Sequence, residues 1–284
     1  MDRRQKLIEI FEDTQEFYRQ NSQLANAVQT AKGATKLYEP DDYTDLFTTA
    51  ALECEIEVTK HKSFEAAIGI HSLHPDWKIA VLNFASATNP GGGVRTGSSA
   101  QEESLCRCST LYPTLTQDWI WQSYYQKNRD AHDNLHTDAC IYSPGVVICK
   151  TDDSYPKRME EKDWVTVDVI SCAAPNLRRR PGNTHNPEYG APIAISSEAL
   201  YDLHLQRAKH ILHIAATNEA DALVLGAFGC GAFANDPNVV ARAYEDALKD
   251  YAGYFKYIEF AVYCRGRETE NYEAFRNIGK DGCK

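Results

Sequence analysis

Short apolar runs typical of buried strands alternate along this chain with longer segments in which apolar residues recur at helical spacing. We predict strands at residues 54–58, 78–85, 164–172, 222–226 and 257–264. The apolar run 139–150 contains Pro144-Gly145, and it predicts two further strands joined by a turn. Because strands alternate with helical segments, the pattern predicts an α/β fold.

Helices are predicted between these strands, where capping residues precede apolar residues at helical spacing. Ser196 or Ser197 can cap a long helix that runs to about residue 219. Asp236-Pro237 starts another helix, reaching about residue 251, because proline is tolerated at the first helical position. Further helices are predicted at residues 63–70, capped by Ser63, at 101–111 and at 268–278.

The N-terminal segment carries apolar residues at near-helical spacing between charged residues, at Leu7, Ile8, Phe11, Tyr18, Leu24 and Val28. We therefore expect one amphipathic helix from Arg3 to about Lys32, packed on the rest of the molecule. Residues 1–50 are predicted to form an N-terminal helical extension. Residues 51–284 are predicted to form one globular unit, since the chain is long enough for a single large core.

Two segments show neither the strand pattern nor the helix pattern. Residues 119–138 are polar and aromatic without a clean period, and they receive no prediction. Residues 173–192 are rich in Pro, Gly, Asn and Arg and predict a long loop, a feature that is often functional in compact domains. Its cluster Arg178-Arg179-Arg180 fits a solvated loop, or alternatively a contact with a polyanionic ligand.

Composition narrows the classes of function. The formal net charge of -10 argues against a general nucleic-acid binder that uses a basic face. Nine cysteines, an odd number scattered through the chain, indicate reduced thiols in a cytosolic or nuclear protein. No signal peptide or membrane span is visible, so we expect an intracellular protein that does not bind membranes. We also expect the protein to be a monomer.

The sequence GGGVRTGSSAQEE, residues 91–103, follows the predicted strand 78–85. Its glycines would lie at the carboxyl end of that strand, where open α/β sheets bind ligands, and their backbone amides could hold a phosphate. Gln101, Glu102 and Glu103 would lie in the first turn of the next helix. There a carboxylate could transfer protons, or the acids could simply complement the helix dipole.

A second glycine loop, GAFGCGAFAND at residues 226–236, also lies between a predicted strand and a helix N-terminus, an arrangement that binds anions. The two loops could hold a diphosphate from both sides. Phe228 and Phe233 could pack against a ribose or a base, or belong to the core. Cys230 could be a nucleophile, but it lacks an identifiable histidine partner, which favours a small residue in a tight turn.

Other familiar motifs are missing from the sequence. The glycine loops do not match the Rossmann or Walker patterns, which weakens hydride transfer and nucleotide hydrolysis as functions. The pairs Cys106/Cys108 and His71/His74 lack the spacing of zinc sites. We therefore expect neither a metal nor an organic cofactor.

Three glycines, seven residues and then QEE, together with the second loop, resemble the poly(ADP-ribose) glycohydrolase family, and its microbial type in particular. The resemblance spans most of the chain. It implies a macrodomain, a mixed sheet sandwiched between helices that binds ADP-ribose, with the extension at 1–50 and a macrodomain-like catalytic domain at 51–284. Poly(ADP-ribose), ADP-ribose and ADP-ribosylated proteins are the implied partners.

The resemblance also implies roles for individual residues. Glu103 would be the catalytic acid and base, Glu102 would orient the ribose, and Phe233 would hold the terminal ribose. The residues implied to bind the ligand are Asn89, Gly91, Gly92, Gly93, Gln101, Gly226, Ala227, Phe228, Gly229, Cys230, Gly231, Ala232 and Phe233. Residues 171–176, which follow a strand end, could line the adenosine side or be an ordinary connection.

These assignments predict an enzyme that hydrolyses the ribose–ribose bonds of poly(ADP-ribose). Protonation of the departing oxygen by a carboxylic acid avoids the expulsion of an alkoxide, as in other glycosidases. Two alternatives stay open. One is a hydrolase of mono-ADP-ribosylated protein or nucleic acid, and the other is a non-catalytic ADP-ribose reader, which would have no need of Glu103.

Overall fold

The computed structural model describes residues 2–44, 46, 53–182, 190–266 and 269–280. Part of the predicted long loop, residues 183–189, lies outside this range, as does residue 268 at the predicted start of the last helix. No helix in the described ranges is both long enough and apolar enough to cross a membrane.

A mixed sheet forms the centre of the molecule. Its seven strands within the described residues are β1 (Lys36–Tyr38), β2 (Glu55–Thr59), β3 (Ile79–Phe84), β4 (Cys140–Ile148), β5 (Val165–Cys172), β6 (Ala222–Leu225) and β7 (Tyr257–Ala261). The strand order is β1-β4-β5-β3-β6-β7-β2. Strand β4 runs antiparallel to both of its neighbours, β1 and β5, whereas all the other pairs are parallel.

Helices cover both faces of this sheet. They are α1 (Arg3–Gln20), α2 (Ser22–Ala34), α3 (Ser63–Leu73), α4 (Gln101–Cys108), α5 (Tyr112–Leu115), α6 (Asp118–Ile120), α7 (Lys127–Ala131), α8 (Ser197–Thr217), α9 (Pro237–Tyr251) and α10 (Glu270–Phe275). Alternate residues of β3 enter the two cores: Val81 packs in the layer of α3 and α4, and Leu82 in that of α8 and α9. The predicted mixed sheet sandwiched between helices is therefore confirmed.

The N-terminal prediction of one long helix is wrong. The chain forms two helices that meet at Asn21, whose side-chain oxygen accepts hydrogen bonds from the amides of Gln23 and Leu24 and so caps α2. The sequence also gave no prediction for β1, which pairs with Cys140–Tyr142 at the edge of the sheet. Residues within 1–50 thus contribute a strand as well as helices.

The predicted turn at Pro144-Gly145 is also wrong, because β4 is one continuous strand. The register with β5 shifts between Ser143 and Val146, so Pro144-Gly145 forms a bulge. Proline, which cannot donate a ladder hydrogen bond, is tolerated at such a bulge. Gly145 has a φ of +69° and donates its amide hydrogen to Oδ1 of Asp168 at 2.9 Å.

Several helix ends match their local signals. Ser196 is the observed cap of α8, and the helix begun by Asp236-Pro237 ends at Tyr251 as predicted. Ser63 is not the cap of α3 but its first helical residue. The unassigned segment contains α6, a π-helical turn at Trp121–Gln126, and α7, which follow one another directly.

Candidate active site

The two glycine loops leave the same edge of the sheet, at the carboxyl ends of neighbouring strands. Strands β3 and β6 are parallel neighbours, with Ala80 opposite Leu223, so the segments that follow them leave the sheet side by side. A methyl group added to Gly226 would lie only 3.0 Å from Cζ of Phe84, the last residue of β3. Glycine at this position therefore permits the loops to adjoin.

Gln101 connects the start of α4 to the end of β3. Its Oε1 accepts a hydrogen bond from the amide of Phe84 at 2.8 Å. Its Nε2 donates to the carbonyl of Leu82 at 2.7 Å and to Oγ of Ser63 at 3.0 Å. The amide was expected to bind ligand, but its hydrogen bonds go to protein groups. In this structure Gln101 positions the helix that carries the two glutamates.

Glu102 and Glu103 are both buried, with 3% and 7% of their surface exposed. Oε2 of Glu102 accepts a hydrogen bond from the amide of Ser86, and Oε1 of Glu103 accepts one from the amide of Gly93, each at 2.8 Å. The second oxygen of each carboxyl group has no hydrogen-bond partner in the described part of the chain. The loop thus holds each carboxyl group by one oxygen and leaves the other without a partner.

The surroundings of Glu102 favour its protonated form. Burial, followed by the charge of neighbouring Glu103, raises the pKa of Glu102 well above its usual range. Arg107 lies one turn further along α4, where burial lowers its pKa and the charge of Glu103 opposes that effect. Its Nη1 donates to the carbonyl of Ser98 at 2.6 Å. The sequence reasoning did not find this buried cation.

Gly92 shows why the loop needs glycine. Its φ of +57° lies in the left-handed region that disfavours other residues. A methyl group there would lie 2.5 Å from Oε1 of Glu103 and 2.9 Å from Oε2 of Glu102. The backbone therefore approaches both carboxyl groups more closely than any side chain would allow.

Asn89 opens the turn that leads to these glycines, since its carbonyl accepts a hydrogen bond from the amide of Gly92 at 2.9 Å. Its side-chain Oδ1 accepts a hydrogen bond from Nη2 of Arg129 at 2.5 Å. Arg129 belongs to α7, in the segment 119–138, for which no element was predicted. That segment thus contacts the first glycine loop.

The N-terminal helix also contacts this region. Oγ1 of Thr14 in α1 donates to the carbonyl of Arg107 at 2.6 Å, and both groups are buried. Gly97, with a φ of +75°, lies so close to the backbone of Arg4 that a methyl group would be 2.5 Å from its carbonyl oxygen. Helix α1 therefore packs directly against α4 and the loop before it.

Asn235 organises the second glycine loop. Its Nδ2 donates to the carbonyls of Pro175 and Gly229, at 2.7 and 3.0 Å. Its Oδ1 lies 2.9 Å from Nε2 of His204 in α8. Burial lowers the pKa of His204 to about 4, so the imidazole is neutral and donates this hydrogen bond. Neither residue was among the predicted site residues.

Phe228 and Phe233 have different environments. The Phe228 ring is 1% exposed and packs in the core, 5.7 Å from the ring of Phe84. This environment favours the core alternative for the ring, and the backbone of Phe228 stays predicted to line the ligand with the rest of the loop. Phe233 is only partly buried, and the guanidinium of Arg178 lies 5.7 Å from its ring. One member of the basic cluster therefore borders the second loop.

Seven cysteines of the described residues have free thiols, namely Cys106, Cys108, Cys140, Cys149, Cys172, Cys230 and Cys264. Burial raises the pKa of Cys230, so its thiol is a poor nucleophile, which agrees with a packing role in the loop. In the described ranges no three His, Cys, Asp or Glu side chains are grouped so as to hold a metal ion.

The fold and the site together define a macrodomain-like protein that places two buried carboxyl groups against a pair of glycine loops. The sequence model of the family described as "Microbial-type PARG, catalytic domain" matches residues 5–151, where PARG stands for poly(ADP-ribose) glycohydrolase. No curated protein sequence matches the chain.

Solved structures of poly(ADP-ribose) glycohydrolases match the chain over nearly its whole length. The enzyme from Thermomonospora curvata bound to the inhibitor ADP-HPD is 31% identical, covers 95% of this chain and 97% of its own, and has a TM-score of 0.78. The enzyme from Deinococcus radiodurans in complex with ADP-ribose is 34% identical, covers 90% and 98%, and has a TM-score of 0.74. This chain belongs to the microbial-type poly(ADP-ribose) glycohydrolase family.

Proposed function

We propose that this chain hydrolyses the ribose–ribose O-glycosidic bonds of poly(ADP-ribose) and releases ADP-ribose. One observation carries the proposal. Glu102 and Glu103 are buried against the segment that follows β3, and each has one oxygen fixed by a backbone amide of that segment and the other without a partner in the described residues. The similarity to the Deinococcus radiodurans enzyme in complex with ADP-ribose supports this choice of ligand.

Glu103 acts as the general acid and then as the general base. Its Oε2 delivers a proton to the departing ribose oxygen while the C1″–O bond breaks, which leaves an oxocarbenium-like ribose. The resulting carboxylate then removes a proton from the water that attacks C1″. Because Oε1 is held by the amide of Gly93, the carboxyl group keeps its orientation through both steps.

Glu102 orients the ribose beside the scissile bond. Burial and the neighbouring Glu103 raise its pKa, which favours the protonated form, and in that form the carboxyl group both donates hydrogen bonds to ribose hydroxyl groups and accepts them. Phe233 supports the terminal ribose, and Asn89 contacts a ribose. The glycines 91–93 and the loop 226–232 line the diphosphate with their backbone amides.

The proposal extends to the partners, the domain arrangement and the oligomeric state of the protein. ADP-ribosylated proteins are the carriers of the polymer, and the reaction requires no metal because a carboxyl group transfers the proton. Residues 1–50 act as an extension whose helix α1 braces the catalytic domain 51–284, and the enzyme is a monomer. Seven free thiols in the described residues favour an intracellular location.

The test compares wild type with Glu103→Gln on purified poly(ADP-ribose) and on mono-ADP-ribosylated protein, with free ADP-ribose measured. We expect wild type to release ADP-ribose from the polymer and Glu103→Gln to be slower by about 100- to 10,000-fold. Glu259→Gln is the matched control, because Glu259 is a buried glutamate of β7 whose Oε1 accepts a hydrogen bond from Thr59.

Three results would contradict the proposal. If Glu103→Gln released ADP-ribose as fast as wild type, Glu103 would not be the general acid. Release from the mono-modified protein alone would indicate a mono-ADP-ribosyl hydrolase. Tight ADP-ribose binding by wild type without any release would indicate a reader.

A further inference from the structure

Arg129 makes two directed hydrogen bonds to the first glycine loop. Its Nη2 donates to Oδ1 of Asn89 at 2.5 Å, and its Nε donates to the carbonyl of Thr88 at 2.8 Å. Both acceptors precede the turn that delivers the Gly93 amide to Glu103. A single side chain, 40 residues away in sequence from Asn89, therefore fixes the start of the loop.

An aromatic ring fixes the plane of this guanidinium. The Cζ atom of Arg129 lies 4.7 Å from the centroid of the Trp121 ring, within the range of a cation–π contact. In an α-helix, eight residues turn through about 800°, which would separate these two side chains by about 80° around the axis. The π-helical turn at Trp121–Gln126 is wider, turns less per residue and reduces that angle. The unusual helix thus aligns the ring with the arginine.

The contact also determines which end of the Asn89 amide faces the arginine. Guanidinium groups only donate hydrogen bonds, so Arg129 selects the oxygen of the amide. The nitrogen then points away, with Oγ1 of Thr88 as a distant partner at 3.5 Å. Since only 9% of the Asn89 surface is exposed, water has little access to its amide group and does not readily replace Arg129 as its partner. The amide nitrogen of Asn89 therefore has only this long contact and keeps the capacity to donate a hydrogen bond to a ligand.

We propose that Arg129 is a positioning residue of the ADP-ribose site, which holds Asn89 so that Nδ2 donates a hydrogen bond to the bound ribose. This inference rests on the proposed function. Lysine cannot replace the arginine fully, because one ammonium group lacks the planar fork that reaches both acceptors while it lies on the ring.

The test measures ADP-ribose affinity by titration calorimetry, kcat and KM on poly(ADP-ribose), and the melting temperature. For Arg129→Met we expect ADP-ribose affinity to fall and KM to rise by about tenfold, with kcat within about threefold of wild type. Arg158→Met is the matched control, because Arg158 uses the same Nε and Nη2 atoms on Asp13 and lies 4.4 Å from the Phe17 ring, and both of these partners belong to α1. It should bind ADP-ribose like wild type.

A double-mutant cycle separates positioning from general support. If Arg129 acts through Asn89, then Arg129→Met in an Asn89→Ala background should weaken ADP-ribose binding by less than about twofold more. Independent tenfold losses from the two substitutions would overturn the proposal. So would wild-type affinity in Arg129→Met.

Arg129→Lys keeps the experiment decisive if the methionine variant does not fold. We expect it to melt like wild type but to bind ADP-ribose about three- to fivefold more weakly, since it keeps the charge and loses the fork. Unchanged affinity in Arg129→Lys would refute the role. Because binding is measured directly, a wild-type protein that binds ADP-ribose without hydrolysing it would refute the proposed function and leave the Arg129 result interpretable.

Discussion

Gly92→Ala is the most informative single change in the site, because a methyl group there would contact the carboxyl groups of both Glu102 and Glu103. The added carbon would lie 2.5 Å from Oε1 of Glu103 and 2.9 Å from Oε2 of Glu102, whereas such contacts are essentially never below 3.0 Å. The Glu103 oxygen must therefore move by at least about 0.5 Å. That movement strains its hydrogen bond to the amide of Gly93.

Two effects contribute to the expected magnitude. The left-handed conformation at φ +57° costs about 1–2 kcal/mol for a residue with a side chain. Misplacement of a reacting group by about 1 Å costs about 100-fold in rate, so a shift of half that size predicts a loss of at least tenfold. We therefore expect kcat/KM of Gly92→Ala to fall between about 10- and 100-fold, with a modest loss of stability.

Gly145→Ala is the control for this experiment. Gly145 has a φ of +69° but no atom within 4 Å of its added methyl group, and it lies in the β4 bulge. It should lose about 1–2 kcal/mol of unfolding free energy and keep its activity. Activity is measured as ADP-ribose release and stability by urea unfolding. If both alanine variants kept full activity, the close approach of Gly92 to the carboxyl groups would have no catalytic consequence.

Because the pKa of Glu102 is raised in the folded state, the folded protein binds the Glu102 proton more tightly than the unfolded chain does. The stabilisation from this proton is complete below about pH 4.5 and is lost as the pH rises through the pKa of folded Glu102. Unfolding titrations should therefore show wild type losing free energy relative to Glu102→Gln above about pH 5; parallel curves would contradict the shift. Phe228→Ala should lose about 3–5 kcal/mol of stability as a core truncation. Phe233→Ala should lose turnover far more than melting temperature, and the reverse result would place that ring in the core.

Elements with strong local signals could be predicted from the sequence. Ser196 before α8 and Asp236-Pro237 before α9 fix helix starts through contacts within a few residues. The continuous apolar run of β3 indicates a strand buried on both faces. The position of the QEE triplet in the first turn of α4 could be predicted from its spacing after the three glycines alone.

The predictions that were wrong or missing depend on contacts between residues that are far apart in the sequence, or on an unusual helix type. Pro144-Gly145 reads as a turn, yet both halves of β4 pair with β5, a partner that local sequence does not reveal. The segment that contains Trp121–Gln126 lacks a 3.6-residue period because part of it is π-helical. Arg129 and His204 reach the loops from distant helices, so neither could be assigned from its neighbours in sequence.

The strand order also determines when the site can form during synthesis. Strand β6 lies between β3 and β7, but it is made about 140 residues after β3. Until it emerges from the ribosome, β3 has an open edge and the first glycine loop has no facing loop. A nascent or truncated chain that ends before β6 therefore carries both glutamates without a complete binding site. Synthesis must pass residue 236, where the second loop ends, before the enzyme can act.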